Sequence, residues 1–91
     1  MPRVASPAAA HIGAHIIRYR ASTGRTQDDL ASHTGIDSSN IRAYENGRAM
    51  PSVYTLVRIA DALGVLPGDL LEGLELDMFA APPTDKRRRA G

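Results

Sequence analysis

Two pairs of helix start and stop signals lie close together near the middle of this chain. Thr26 is a residue type that caps a helix, and Asp29 stands three residues later, where its carboxylate reaches back to the cap as in a capping box. Gly35 follows at the position where a residue in the left-handed backbone conformation ends such a helix. Asp37 then caps and Gly47 ends a second segment. The pattern predicts two short helices joined by a tight turn.

Helical spacing decides which side of the second helix faces inward. Ile41, Tyr44 and Glu45 fall on one side, so we expect that side to be buried. The outward side then carries small and polar side chains: Ser39, Arg42, Ala43 and Asn46. The same argument gives Gln27, at the start of the first helix of the motif, no buried contact, so its side chain is left free.

The two helices resemble the helix-turn-helix of the phage repressor and Cro type, also called the XRE family. The residues at the family's offsets are Gln27, Ala31, Gly35, Ile41, Glu45-Asn46-Gly47, Pro51 and Leu63-Gly64-Val65. The resemblance covers residues 12–71, so it rests on more than a lone motif. It implies a lambda repressor-like domain and a transcriptional regulator that binds double-stranded DNA.

Helix signals also stand on either side of this motif. Ser6 and Pro7 open a first helix, in which Ile12, Ile16 and Tyr19 form the inward stripe. Beyond the motif, Ser52 caps and Gly64 ends a fourth helix with inward residues Val53, Leu56, Ile59, Ala60 and Leu63. Pro67 opens a short last helix with Leu70 and Leu71. The expected fold is all-α, a compact five-helix bundle.

Composition divides the 91 residues into four parts around one small domain. We expect a flexible arm at 1–6, the DNA-binding domain at 7–73 with the helix-turn-helix at 26–46, a dimerisation segment at 74–79 and a disordered basic tail at 80–91. Arginines crowd the first half and carboxylates the second, so one end suits phosphate. No apolar run approaches the length that crosses a bilayer, and no signal peptide is visible, so we expect a cytoplasmic protein without membrane contact.

The residue pattern offers little for catalysis or metal binding. There is no cysteine, and no nucleophile with a base or pair of pocket carboxylates is visible. His11 and His15 are four residues apart on one helix, but no third ligand stands at a fitting spacing. The prediction is a protein that is not an enzyme and has no cofactor or metal.

The resemblance also implies a structural ion pair between Arg20 and Glu45. This pair ties the helix that Ser6 and Pro7 open to the second helix of the motif. The alternative is two solvated surface charges.

If helix 37–46 enters the major groove, its residues divide by the part of the DNA they meet. Base readout is expected from Ser38, Ser39, Asn40, Arg42 and Ala43. Phosphate contacts are expected from Gln27, Asn46 and Arg48. Asn40 has an alternative role, in which it helps to satisfy the helix start together with Asp37.

The apolar residues near the end of the domain predict a homodimer. The expected interface is Leu70, Leu71, Leu74, Leu76, Met78 and Phe79, more apolar surface than a small bundle buries. Residues 74–79 fit a strand as well as a helix, and folding back over the same bundle is an alternative to a dimer. A two-fold dimer predicts an operator with inverted half-sites. An alternative function is an antitoxin that represses its own operon and binds a toxin protein.

Overall fold

In the computed structural model the described part of the chain, residues 6–79, forms five α-helices and one short 3-10 turn. The helices are α1 (Pro7–Ser22), α2 (Gln27–Thr34), α3 (Ser38–Glu45), α4 (Val53–Leu63) and α5 (Pro67–Leu70), and the 3-10 turn is Leu76–Met78. The predicted all-α five-helix bundle is confirmed. The arm at residues 1–5 and the basic tail at 80–91 lie outside the described residues.

Side-chain caps begin three of the helices at the residues that the sequence indicates. The Ser6 hydroxyl accepts from the N–H of Ala9 at 3.1 Å, so this residue belongs to the start of α1 rather than to an arm. Thr26 and Asp29 form both bonds of the capping box at 3.0 Å. The Ser52 hydroxyl caps α4 in the same way.

The start of α3 differs from the prediction. Asp37 occupies the cap position, but its side chain accepts no backbone N–H of the helix. Its carboxylate instead accepts a hydrogen bond from the hydroxyl of Ser39. The predicted side-chain cap is therefore wrong, because the carboxylate is engaged by the Ser39 hydroxyl.

Each of the five helices contributes one of the largest fully buried side chains. These residues are Ile16, Leu30, Ile41, Ile59 and Leu70. Full burial of such an aliphatic side chain stabilises a fold by about 1.5–3 kcal/mol. The core therefore forms where all five helices meet, and it fixes α3 from its inner side.

Leu70 and Val53 are placed differently from the sequence prediction. Leu70 is fully buried in the core of its own subunit, so it cannot form part of a dimer interface. Val53 is 78% exposed, because the described chain does not cover the first turn of α4.

Residues 74–79 form neither a strand nor an α-helix, but contain the 3-10 turn Leu76–Met78. Leu74 packs against the core, as the alternative of local folding back predicted. Leu76, in contrast, is 88% exposed, and Phe79 is also exposed. The segment therefore folds back only in part and leaves apolar side chains uncovered.

Helix α1 crosses the C-terminal end of α3 at backbone contact. A Cβ atom placed on Gly13 would lie 2.3 Å from the carbonyl oxygen of Tyr44 and 2.7 Å from that of Glu45. Gly47, two residues after the end of α3, has φ of 75°, and a Cβ there would lie 2.8 Å from the Cα of Ala10. Two glycines thus allow α1 to support the end of α3 without an intervening side chain.

Candidate nucleic-acid interface

Helix α3 has one buried face and one exposed polar face. Ile41 is fully buried and Glu45 is 5% exposed, while Tyr44 is half-buried beside them. The exposed residues of the helix are Ser39, Asn40 and Arg42, and Asn46 and Arg48 are exposed just beyond its end. Ser38 and Ala43 are half-buried at the edge of this face. Of the five residues predicted to read bases, three are therefore exposed and two, Ser38 and Ala43, are only partly accessible.

An ion pair holds the end of α3 against α1. The Nε atom of Arg20 donates to Oε2 of Glu45 at 2.6 Å, and Nη2 of Arg20 donates to Oε1 at 3.0 Å. The Glu45 side chain is 1% exposed and the Arg20 side chain 17% exposed. The hydrogen bonds that Arg20 donates to Glu45 raise the pKa of Arg20, against the opposite effect of burial. The predicted pair forms, and it is buried rather than solvated.

Gln27 also binds the Glu45 carboxylate. Its Nε2 atom donates to Oε1 of Glu45 at 2.8 Å, and the residue is half-buried. The expectation that Gln27 is left free is therefore wrong, because the first residue of α2 reaches the end of α3. The sequence carried no local signal for this contact, because Gln27 and Glu45 are 18 residues apart.

Not every arginine in the first half of the chain is available to phosphate. Nη1 of Arg20 donates to the carbonyl oxygen of Arg25 at 2.8 Å, and the Arg25 guanidinium donates to the carbonyl of Ala62 at the end of α4. These two side chains join helix ends instead of facing outward. Arg42 and Arg48 are exposed, so the phosphate argument from charge applies to them.

A further arginine supports the turn before α3. Arg58 donates to the carbonyl oxygen of Thr34, the last residue of α2, and its guanidinium carbon lies 5.3 Å from the centre of the Tyr54 ring. This contact fastens the end of α2 to α4. It was not predicted, since nothing in the local spacing of Arg58 points to a backbone carbonyl far away in sequence.

The two histidines of α1 have structural partners. The Nε2–H of His11 donates to the carbonyl oxygen of Glu72 at 2.6 Å, and the Nδ1–H of His15 donates to the carbonyl of His11 at 3.1 Å. Within residues 6–79, no group of three or more potential ligands stands close enough to hold a metal ion. None of the helices in that range is long and apolar enough to cross a membrane.

A family model described as a helix-turn-helix domain matches residues 11–74, more than two thirds of the chain. The chain belongs to this helix-turn-helix family. The match begins within α1 and ends after α5, so it covers the greater part of α1 and all of α2 to α5. The resemblance stated from the sequence is confirmed.

Two relatives of this helix-turn-helix chain share about a third of their aligned residues with it. An uncharacterized HTH-type transcriptional regulator of Sinorhizobium fredii is 35% identical over 54 residues, which are 59% of this chain and 70% of the relative. The cryptic phage CTXphi transcriptional repressor RstR of Vibrio cholerae is 34% identical over 50 residues, 55% of this chain and 45% of RstR. The matched segment thus spans less than half of the second relative.

A solved structure has the same arrangement of helices. The restriction-modification controller protein C.AhdI of Aeromonas hydrophila superposes with a TM-score of 0.67 and 27% identity, over 68% of this chain and 94% of C.AhdI. Family and relatives together place the chain among transcriptional regulators with a helix-turn-helix DNA-binding domain. The prediction that it is not an enzyme is confirmed by that membership.

Proposed function

We propose that the chain is a sequence-specific regulator that binds an inverted-repeat operator as a dimer, with α3 in the major groove. The observation that carries the proposal is the division of α3 into two faces. Its inner face is fixed by the core and by the Glu45 carboxylate, while its outer face presents polar side chains. A rigidly held helix with an exposed polar face is what direct readout of base edges requires.

Two side chains on this face have the shape for strong base contacts. Arg42 matches the two acceptors of guanine, and Asn40 matches the acceptor and donor of adenine. The Asn40 side chain is exposed and makes no helix-cap hydrogen bond within residues 6–79, which favours base contact over the capping role. The half-buried Ala43 suits a thymine methyl group. The serine hydroxyls Ser38 and Ser39 discriminate less, so DNA shape supplies part of the specificity.

The phosphate contacts come from both ends of the motif. Gln27 stands at the first residue of α2, where unpaired backbone N–H groups favour an anion. Asn46 and Arg48 are exposed just beyond α3 and bind the backbone on the far side. These residues fix the register of α3 on the duplex but read no sequence themselves.

The dimer follows from the small number of base contacts that one helix offers. A monomer with one short recognition helix binds too weakly to compete with bulk genomic sites. Two-fold pairing sets the helices about 34 Å apart, one turn of DNA. The exposed apolar residues after α5, namely Leu71, Leu76 and Phe79, together with the partly covered Leu74 and Met78, form the proposed interface.

Selection of bound fragments from random DNA tests the function. We expect an enriched inverted repeat, and the absence of any enriched motif at moderate salt contradicts sequence-specific binding. Binding is then measured on a panel of single-base variants of that operator. Arg42→Ala should lower affinity and relax preference at one or two positions by about 1–3 kcal/mol. Arg48→Ala is the matched control, since losing a phosphate contact weakens all sequences alike.

An unchanged preference profile for Arg42→Ala would show that Arg42 contacts the DNA backbone and not a base. The proposed base readout would then lack its main residue. The antitoxin alternative stays a prediction, for which a co-purifying protein of similar size is the discriminating observation.

A further inference from the structure

The hydroxyl hydrogen of Ser39, the second residue of α3, is engaged within the protein. It is donated to the carboxylate of Asp37, the residue that precedes the helix. A serine hydroxyl has one hydrogen and two acceptor lone pairs, whereas an ionised carboxylate can only accept. Ser39 is therefore the donor in this pair, and its lone pairs are what it has left for a group outside the protein.

Both members of this pair are exposed at the start of α3. The Asp37 carboxylate accepts no backbone N–H of the helix, so it acts on the Ser39 hydroxyl and not on the helix start. Its negative charge also attracts the hydrogens of a nearby base edge and repels the oxygens. Both effects favour a hydrogen-bond donor as the external partner of Ser39.

The major-groove edges of the four bases differ in the group that such a hydroxyl meets. Adenine and cytosine carry an amino group that donates, while guanine and thymine carry an oxygen that accepts. A freely rotating hydroxyl binds either group, so it distinguishes the two classes poorly. A hydroxyl that can only accept pairs with an amino group but places a lone pair against a base oxygen.

We propose that Asp37 is a positioning residue that holds the Ser39 hydroxyl as an acceptor, so that Ser39 selects adenine or cytosine on the strand it contacts. This inference rests on the proposed function and deepens it. It assigns a class of base to Ser39, and it gives Asp37 an effect on specificity without contact with a base.

The first measurement finds the base that Ser39 contacts. Among single-base variants of the selected operator, Ser39→Ala should remove the preference at one position of each half-site. The parent chain should bind adenine and cytosine there about tenfold more tightly than guanine and thymine, the effect of one hydrogen bond. An analogue of the favoured base without its amino group identifies the strand. It should weaken binding of the parent chain but not of Ser39→Ala.

The second measurement removes the carboxylate. Asp37→Ala frees the hydroxyl to donate, so most of the preference at the Ser39 position should be lost. Affinity for all sequences should rise, since a negative charge near the phosphates is gone. Asp28→Ala is the matched control, because Asp28 is an exposed acidic residue in the first turn of α2. It should raise affinity without changing the profile. In the Ser39→Ala background, Asp37→Ala should also leave the profile unchanged.

Asp37→Gly is the second variant, used if Asp37→Ala does not give the cooperative unfolding of the parent chain. Glycine starts a helix better than alanine and also lacks the carboxylate. The inference is overturned if a folded Asp37 variant keeps the parent's preference, if Ser39→Ala changes no position, or if removing the amino group costs the parent no affinity. A selection that enriches no motif contradicts the proposed function instead, so the two failures are distinguishable.

Discussion

Replacing Gly13 with alanine adds one methyl group at the point where α1 crosses α3. The added Cβ would lie 2.3 Å from the carbonyl oxygen of Tyr44 and 2.7 Å from that of Glu45. Both atoms belong to the backbone, so no side chain can rotate away and the two helices must separate. Alanine is otherwise the better residue inside a helix, by about 1 kcal/mol.

The magnitude follows from the two opposing effects. Overpacking a close contact costs about 1–3 kcal/mol, and a clash with backbone falls at or above the upper end of that range. After the gain in helix propensity, the net loss of unfolding free energy should be about 2 kcal/mol. For a domain of this size, that loss lowers the melting temperature by about 8–16 °C.

Urea and thermal unfolding of the full chain measure the effect. Gly68→Ala is the matched control, since Gly68 lies in α5 and a Cβ there meets nothing within 4 Å. The control should be as stable as the parent chain or slightly more stable. If Gly13→Ala behaves like the control, α1 and α3 do not meet at backbone contact and the account of the crossing fails.

Three further predictions concern Glu45, Asp29 and Leu76. Glu45→Gln should lower the unfolding free energy by about 3 kcal/mol in urea titrations, because the largely buried Arg20 loses its counter-charge; a loss below about 1 kcal/mol would show that the pair is not structural. Hydrogen bonds from the cap residue lower the pKa of Asp29 from 3.8, so its ionised form favours the folded state above the unfolded pKa of about 4. The stability difference between the parent chain and Asp29→Asn should be constant above about pH 5 and shrink as pH falls through the lowered pKa; an unchanged difference in acid would contradict the capping box. Leu76→Glu should give a monomer in sedimentation with the fold retained, while Val53→Glu, at another highly exposed residue on α4, should leave the dimer intact; a dimer that survives Leu76→Glu excludes this segment as the interface.

The sequence predicted those elements whose signals are local. Caps such as Thr26 and terminating glycines such as Gly35 act within a few residues, so the bounds of the helices followed from them. The inward stripe of α3 also followed from spacing, as the burial of Ile41 shows. The Arg20–Glu45 pair came from the family resemblance, since no local pattern joins residues so far apart.

Features that depend on contacts between distant residues were not predicted. The Gln27 amide meets Glu45 only after α2 and α3 have docked, and the role of Gly13 depends on the crossing of α1 over α3. Leu70 was assigned to an interface because composition cannot distinguish an apolar residue of the core from an uncovered one. The roles of α3 residues at DNA likewise stay predictions until binding is measured.

The close crossing of α1 over α3 also sets the smallest segment that a protein engineer can transplant. The backbone contacts at Gly13 and Gly47 and the Arg20–Glu45 pair all join α1 to the end of α3. A graft of α2 and α3 alone would leave the Glu45 carboxylate without its arginine partner and the end of α3 without the backbone contact of α1. A chimaera that exchanges α3 between related domains should therefore carry residues 6–47 as one segment, on a bundle whose α4 and α5 complete the core.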